Sequence, residues 1–250
     1  MGAQALSSIA DNALLIAAFA LIADLQGPSW MLPMMKWWFA LAYVVLAAFV
    51  GAFADAYPKG RVMFITNSVK ILVCALLFAY QFVSSDASIQ LFTIFFAYTL
   101  VGIGAAAYSP AKYGIVTEML PPQDLVKGNS WIEGLTVLSI IVGTVLGGVL
   151  ITPEVYHHLQ KLPGITAIAQ NRAEIAILVI GCIYIAAALC NLMIPNTNIQ
   201  YPKQKTKPVA LLRDFRFYVL VLWRDKLGQI SLAVTTLLFS STQLIVSALT

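Results

Sequence analysis

Ile175 to Ile194 read IAILVIGCIYIAAALCNLMI, a run of uncharged residues broken only by one Tyr, one Asn and a few small side chains. As a helix rising about 1.5 Å per residue, a run of about 20 residues covers the roughly 30 Å hydrocarbon layer of a bilayer. A strand of a membrane barrel needs only about 10 residues with strict alternation, and this run is longer and apolar all round, so it reads as a helix. Comparable runs lie near residues 3–23, 34–54, 62–83, 90–109, 131–151 and 227–249, separated by polar or Pro-containing connections. The composition agrees. Of the residues, 60% are hydrophobic and 10% charged, and the mean hydropathy is +0.84, whereas a soluble domain carries about 25% charge. The sequence therefore predicts an all-α integral membrane protein of about seven transmembrane helices.

Loop charges set the expected orientation. When successive connections are assigned to alternate sides, one side collects Lys59, Arg61, Lys112, Lys127, Lys203, Lys205, Lys207, Arg213, Arg216, Arg224 and Lys226, and the other only Lys36, Lys161 and Arg172. By the positive-inside rule the first side is cytoplasmic, together with the N-terminus. The net charge of +4 then points to anionic lipid headgroups, which attract juxtamembrane cations by about 1 kcal/mol each, and not to nucleic acid. No Lys or Arg precedes the first run and no small-residue cleavage site follows it, so a cleaved leader is not expected. The last run stops at Thr250 without an anchoring cation or aromatic belt, as a piece of a longer protein would. Cys74, Cys182 and Cys190 all fall inside apolar runs, without metal-ligand or disulfide spacing, and read as packing residues.

The chain reads as a six-helix bundle over residues 1–195, a basic cytoplasmic linker over 196–226 and the first helix of a second bundle over 227–250. The linker holds Pro202, Pro208 and three lysines between Asn196 and Pro208. Beyond it, Ala210–Trp223 fits a helix on the membrane surface or an extension of the seventh span, and the residues leave both open. A six-span unit, a connector and a second unit is the layout of transporters built from repeated halves. Polar residues in spans one and four and glycines in spans two and five hint at a three-plus-three inverted repeat inside the first unit.

Ionisable groups inside spans cost at least about 2.5–3.5 kcal/mol on insertion scales, so each needs a reason. Asp11, a third of the way into the first span, is expected to face a cavity. Lys112 ends a stretch of small residues from Gly102 in which Pro110 frees backbone groups that a partner or a hydrated cavity must satisfy. Glu133 is either a site residue or a plain acid at the start of the fifth span. Lys70 reads as a buried stem whose ammonium reaches for the headgroups. Between spans two and three, Gly51 and Asp55 followed by Lys59 and Arg61 form a turn able to lock a cytoplasmic gate by charge pairing and helix-dipole contacts. His157 and His158, with Glu154 nearby, read as a solvated external loop rather than a metal site. No Gly-x-Ser-x-Gly elbow, His-Glu-x-x-His pattern or P-loop is present, so neither an enzyme nor a bound cofactor or metal is expected.

Gly51-x-x-x-Asp55 with Lys59 and Arg61 resembles the loop signature of the major facilitator superfamily, with Pro58 where many members carry Gly. Three further stretches narrow the resemblance to its lysophospholipid transporter branch: Ala10-Asp11-Asn12-Ala13-Leu14-Leu15, Tyr108-Ser109-Pro110-Ala111-Lys112-Tyr113-Gly114-Ile115, and Ser231-Leu232 leading to Thr235-Thr236-Leu237. The resemblance implies a major-facilitator-type bundle, here an incomplete form of a twelve-helix transporter whose halves rock about a central site. It further implies movement of lysophospholipids across the bacterial inner membrane to the cytoplasmic face for reacylation, with an acyltransferase/acyl-carrier-protein synthetase as a partner. Under this reading Asp11, Asn12, Lys112, Tyr113 and Glu133 bind substrate, with Lys112 on the lipid phosphate and Asp11 and Glu133 on the headgroup ammonium. Two rivals stay open: a proton-coupled exporter of a drug or metabolite using Asp11 or Glu133, and a non-transporting scaffold for an acyltransferase.

Overall fold

The computed structural model describes residues 1–161, 169, 171–197, 199, 201 and 208–249, and two compact units emerge, Met1–Gln200 and Tyr201–Thr250. The first unit contains α1 (Gly2–Asp24), α2 (Met31–Ala56), α3 (Lys59–Phe78), the short α4 (Tyr80–Val83), α5 (Ala87–Met119), α6 (Leu125–Leu150), α7 (Pro153–Gln160) and α8 (Arg172–Leu192). Among the described residues, six helices are long and apolar enough to cross a membrane, namely α1, α2, α3, α5, α6 and α8. They match the first six expected spans.

Two boundaries differ from expectation, and both matter for the site. Helix α5 runs on to Met119, through Pro110, where the span was expected to end near residue 109. The hydropathy drop that suggested an end comes from Lys112 and Glu118. Glu118 finds partners inside the fold, its side chain only 3% exposed, so the helix has no reason to stop there. At the next connection, α6 begins at Leu125 after a 3-10 turn over Pro122–Asp124. Glu133 is therefore more than two turns inside a helix, and the plain N-terminal-acid reading of it does not hold.

The helices pack in a pattern with internal symmetry. Helix α1 lies against α6 and α8, α5 lies against α2 and α3, and α3 and α8 pack on each other. Exchanging the first three spans with the last three, so that α1 takes the place of α5, α2 of α6 and α3 of α8, maps this set of contacts onto itself. Consecutive spans alternate in direction, so a shift by three inverts each helix, which is an inverted repeat. Exposure follows the same exchange: α2 and its counterpart α6 bury the least of the six.

Close approach of the paired helices rests on small residues. A Cβ at Gly143 of α6 would lie 2.5 Å from the Ile9 carbonyl oxygen, and one at Gly147 would lie 2.9 Å from that of Ala13. On the opposing α1 face, Ala10, Ala13, Ala17 and Ala18 are fully buried, so α1 and α6 meet nearly backbone to backbone. The symmetry-related seam uses Gly102 of α5, where a Cβ would come within 3.0 Å of the Phe39 Cα on α2. Trp30, Trp37 and Trp38, all exposed near the start of α2, are placed as an interfacial aromatic belt would be.

In the second unit, α9 (Pro208–Arg224) and α10 (Lys226–Leu249) are separate helices. The Asp225 carboxylate breaks them apart by accepting from the Gly228 N–H at 2.9 Å. A Cβ at Gly228 would sit 2.4 Å from the Leu222 carbonyl oxygen, so the turn requires glycine. The segment 210–223 is thus a helix of its own and does not extend the seventh span. Lys203, Lys205 and Lys207 of the expected linker lie outside the described residues.

Candidate functional site

The polar centre of the bundle is built by α1, α3 and α8. Lys70, 1% exposed, donates to both oxygens of Asp11, at 2.7 and 2.8 Å, and to Ser7 Oγ at 3.2 Å. The Tyr184 hydroxyl donates to Asp11 Oδ1 at 2.6 Å, and the Ser7 hydroxyl donates to Asn67 Oδ1 at 2.8 Å. The ammonium also lies 5.4 Å from the Tyr108 ring centroid and 5.6 Å from that of Tyr184, within cation–π range. Gly104 of α5 makes room for the lysine stem, since a Cβ there would come 3.3 Å from Lys70 Cγ. The expectation that Lys70 reaches for the headgroups is therefore corrected: its charge stays in the bundle because Asp11 of α1 offers a partner in the bundle interior, beside α8, on which both α1 and α3 pack. An acid in one span and a base in another was the sequence signal for this pair, and it was visible only once α1 and α3 were both known to pack on α8.

A second cation stands nearby. Lys112 of α5 lies 3.5 Å from Thr136 Oγ1 and 4.4 Å from the centroid of the Tyr113 ring. It forms no ion pair among the described residues. The Tyr113 hydroxyl hydrogen-bonds to Glu133, so Lys112, Tyr113 and Glu133 form one group linking α5 and α6. Thr136 also accepts from the Gln4 amide at 2.7 Å.

Asp11, Lys70 and Lys112 line a cavity of about 80 Å³, together with Ser7, Tyr43 and Tyr108. Its walls carry two lysines and one carboxylate, and that carboxylate is already engaged, so the cavity holds an excess positive charge. Of the other expected binding residues, Asn12 directs its amide to the Ser8 carbonyl one turn back, at 2.8 Å. Glu133 and Tyr113 flank the cavity through Lys112 rather than lining it.

At the α2–α3 turn, Lys59 spans three elements. Its ammonium is 2.7 Å from Asp55 Oδ1, 3.0 Å from the Ala54 carbonyl and 4.0 Å from Glu118 Oε1 of α5. The Ala54 carbonyl is among the last of α2, which the helix itself leaves unsatisfied. The lysine stem crosses Gly114, where a Cβ would sit 2.9 Å from Lys59 Cε, and Glu118 in turn accepts from Thr197 Oγ1 at 2.5 Å. Arg61 is exposed, and a Cβ at Gly51 would meet nothing within 4 Å. His157 and His158 end α7, with His158 Nδ1 2.9 Å from the Glu154 carbonyl oxygen.

Comparison with known proteins gives one consistent answer. The family model described as Major Facilitator Superfamily matches residues 1–250. Over 239 residues the chain is 38% identical to the lysophospholipid transporter LplT of Serratia proteamaculans (strain 568), covering 96% of this chain and 53% of that protein. It is 39% identical over 240 residues to LplT of Enterobacter sp. (strain 638), with 96% and 53% covered, and 39% identical over 239 residues to that of Pectobacterium carotovorum subsp. carotovorum (strain PC1), with 96% and 52% covered. The chain spans about half the length of the curated relatives it matches. With a family match along its whole length, six apolar helices in a symmetric bundle and a charge clasp at the α2–α3 turn, this chain belongs to the major facilitator superfamily.

Proposed function

We propose that this chain forms the first bundle, and the first helix of the second, of a transporter that moves lysophospholipids across the bacterial inner membrane to the cytoplasmic face by rocking alternating access. The observation that carries the reading is the Lys112 ammonium, without an ion pair among the described residues, at a cavity where the other lining lysine, Lys70, is already neutralised by Asp11. A single phosphate is the complement of that charge, and its charge-assisted contact is worth about 1.5–3 kcal/mol. Glu133, held by Tyr113 next to Lys112, is the acceptor for a headgroup ammonium, with Asp11 as a second acceptor when Lys70 yields it. Asn12, which packs against Gly143 of α6 and does not line the cavity, would act only by holding α1 in place beside it. The relatives' names supply the lipid class. In this reading the Asp55–Lys59 clasp, with Gly51 and Arg61 on either side, is the gate that ties α2 to α5 at the cytoplasmic end.

The test is translocation of lysophosphatidylethanolamine in proteoliposomes, comparing this 250-residue chain alone with the same chain supplied with a second six-helix half. Translocation is expected only with the second half, and Lys112→Ala in that assembly lowers it about 10–100-fold, as the loss of one charge-assisted contact implies. Undiminished translocation by Lys112→Ala would remove the phosphate assignment. The Asp11–Lys70 pair favours a second reading, since a buried carboxylate exchanging a proton for a lysine partner is what a proton-coupled exporter needs. Transport that follows a proton gradient and ignores lysolipid competitors would choose it.

A further inference from the structure

Helix α9 reads PVALLRDFRFYVLVLWR from Pro208 to Arg224, and neither the central cavity nor the Lys59 clasp uses it. At about 100° per residue, Leu211, Phe215, Tyr218, Val219 and Leu222 fall within about 100° of arc on one side. Arg213, Arg216 and Arg224 fall within about 80° on the opposite side, with Phe217 and Leu220 between them. Every residue from Phe215 to Arg224 is exposed, so the second unit leaves both sides of the helix uncovered. Arg213 Nε lies 3.9 Å from Asp214 Oδ1 on exposed side chains, a contact of the kind that contributes little. Arg216 and Arg224 form no ion pair among the described residues.

What covers such a helix follows from where it is tied. Only Asp225 separates α9 from α10, the expected seventh span. The corner between them is fixed, since the Gln229 amide donates to the Trp223 carbonyl at 2.7 Å, the Gly228 N–H donates to the Asp225 carboxylate, and the Leu222 carbonyl closes on Gly228. A helix held in this way to the start of a span lies at the depth where that span enters the bilayer. Its 17 residues cover about 26 Å, short of a hydrocarbon layer of roughly 30 Å, and its arginines oppose crossing. Trp223, Arg224 and Lys226 at the corner are residue types that settle among headgroups. Arg213, Arg216, Arg224 and Lys226 face only Asp214 and Asp225 in this segment, and the Asp225 carboxylate is engaged in the turn. The charge therefore selects an anionic surface over a zwitterionic one. We propose that α9 lies in the membrane interface as an anchor for anionic phospholipid, with Leu211, Phe215, Tyr218 and Leu222 toward the acyl chains and the arginines on the lipid phosphates. The anchor is independent of the cargo that the bundle carries.

The experiment places a nitroxide label on Phe215→Cys, Tyr218→Cys, Phe217→Cys or Leu220→Cys in the full 250-residue chain, with Cys74, Cys182 and Cys190 replaced by alanine. Each variant is reconstituted in vesicles of phosphatidylcholine alone or of phosphatidylcholine mixed with phosphatidylglycerol. Electron paramagnetic resonance then reads collisions of the label with oxygen and with a water-soluble nickel chelate. With phosphatidylglycerol present, labels at Phe215 and Tyr218 should favour oxygen, and labels at Phe217 and Leu220 the chelate. Each cation near an anionic surface shifts such an equilibrium about fivefold. Omitting phosphatidylglycerol, or changing Arg213, Arg216 and Arg224 together to Gln, should therefore lower the ratio of seated to unseated helix about 100-fold. Changing the same three residues to Lys keeps the charge and should keep the pattern, which separates lost attraction from lost folding. Chelate access at all four positions in the phosphatidylglycerol vesicles would overturn the proposal, as would one and the same pattern with and without that lipid. Shielding of all four labels from both agents would replace the lipid surface with a protein one, a second copy of the chain.

Discussion

At the scale of single residues, the Asp11–Lys70 pair shows how a buried charge is tolerated and what it costs to disturb. Removing one partner of such a pair leaves the other charge buried alone, at about 3–5 kcal/mol, whereas replacing both by neutral groups is often close to neutral. Lys70→Met is therefore expected to destabilise the bundle by about that much, and Asp11→Asn combined with Lys70→Met to recover most of it. Thermal unfolding in detergent measures both, and simple additivity of the two changes would show that the pair is not coupled. The same pair marks a limit of the sequence. Asp11 was legible as a cavity residue because an acid deep in a span has few other uses. Lys70 was not, because a lysine stem is long enough to reach a headgroup from many depths, and only the packing of α1 and α3 on the same helix, α8, shows which way it goes. Glu133 failed to be legible for a different reason: its bland reading depended on where α6 starts, and a 3-10 turn moved that start back past Asn129 and Ser130.

Helices are the scale at which the sequence was most informative and at which glycine chemistry decides the packing. The first six apolar runs were readable because a membrane span demands length and uniform hydrophobicity, both of which a one-dimensional scan detects. Which run touches which was not readable, since the seams depend on single small residues. Their spacing in α6, at Gly134, Gly143, Gly147 and Gly148, does not reveal which of them meets a neighbour. A Cβ at Gly143 would enter the Ile9 carbonyl, while one at Gly134 or Gly148 would meet nothing within 4 Å. Gly143→Ala is thus expected to cost about 1–3 kcal/mol through overpacking and to loosen the α1–α6 seam. Gly134→Ala is expected to gain about 0.5–1 kcal/mol from reduced backbone freedom. Disulfide trapping between cysteines introduced on α1 and α6 reads the seam directly: efficient trapping in the Gly143→Ala variant, equal to that in the Gly134→Ala variant, would show that the close approach is not needed.

For the whole molecule, the open matter is which way the bundle faces, and here the structure sharpens the charge argument by removing a residue from it. Lys112 belongs to a helix interior and not to a loop, so the cytoplasmic tally falls from eleven to ten Lys and Arg residues, against three on the other side. The asymmetry survives because the α2–α3 turn, the α5–α6 connection and the segment after α8 each keep their cations, and the rule counts those near span ends. Cysteines placed at Tyr57 and Gln123 are therefore expected to be shielded from a membrane-impermeant thiol reagent added to intact cells, and cysteines at Ser29 and Ser85 to react. The native Cys182, exposed on a span but facing hydrocarbon by the same argument, serves as the unreactive control. The inverted repeat makes the test discriminating: since α1–α3 and α5–α8 run in opposite senses, a reversed bundle would exchange the two sets completely. Labelling at Tyr57 and Gln123 with protection at Ser29 and Ser85 would turn the chain over, and would place the Lys59 clasp on the outer face, where a cytoplasmic gate could not be.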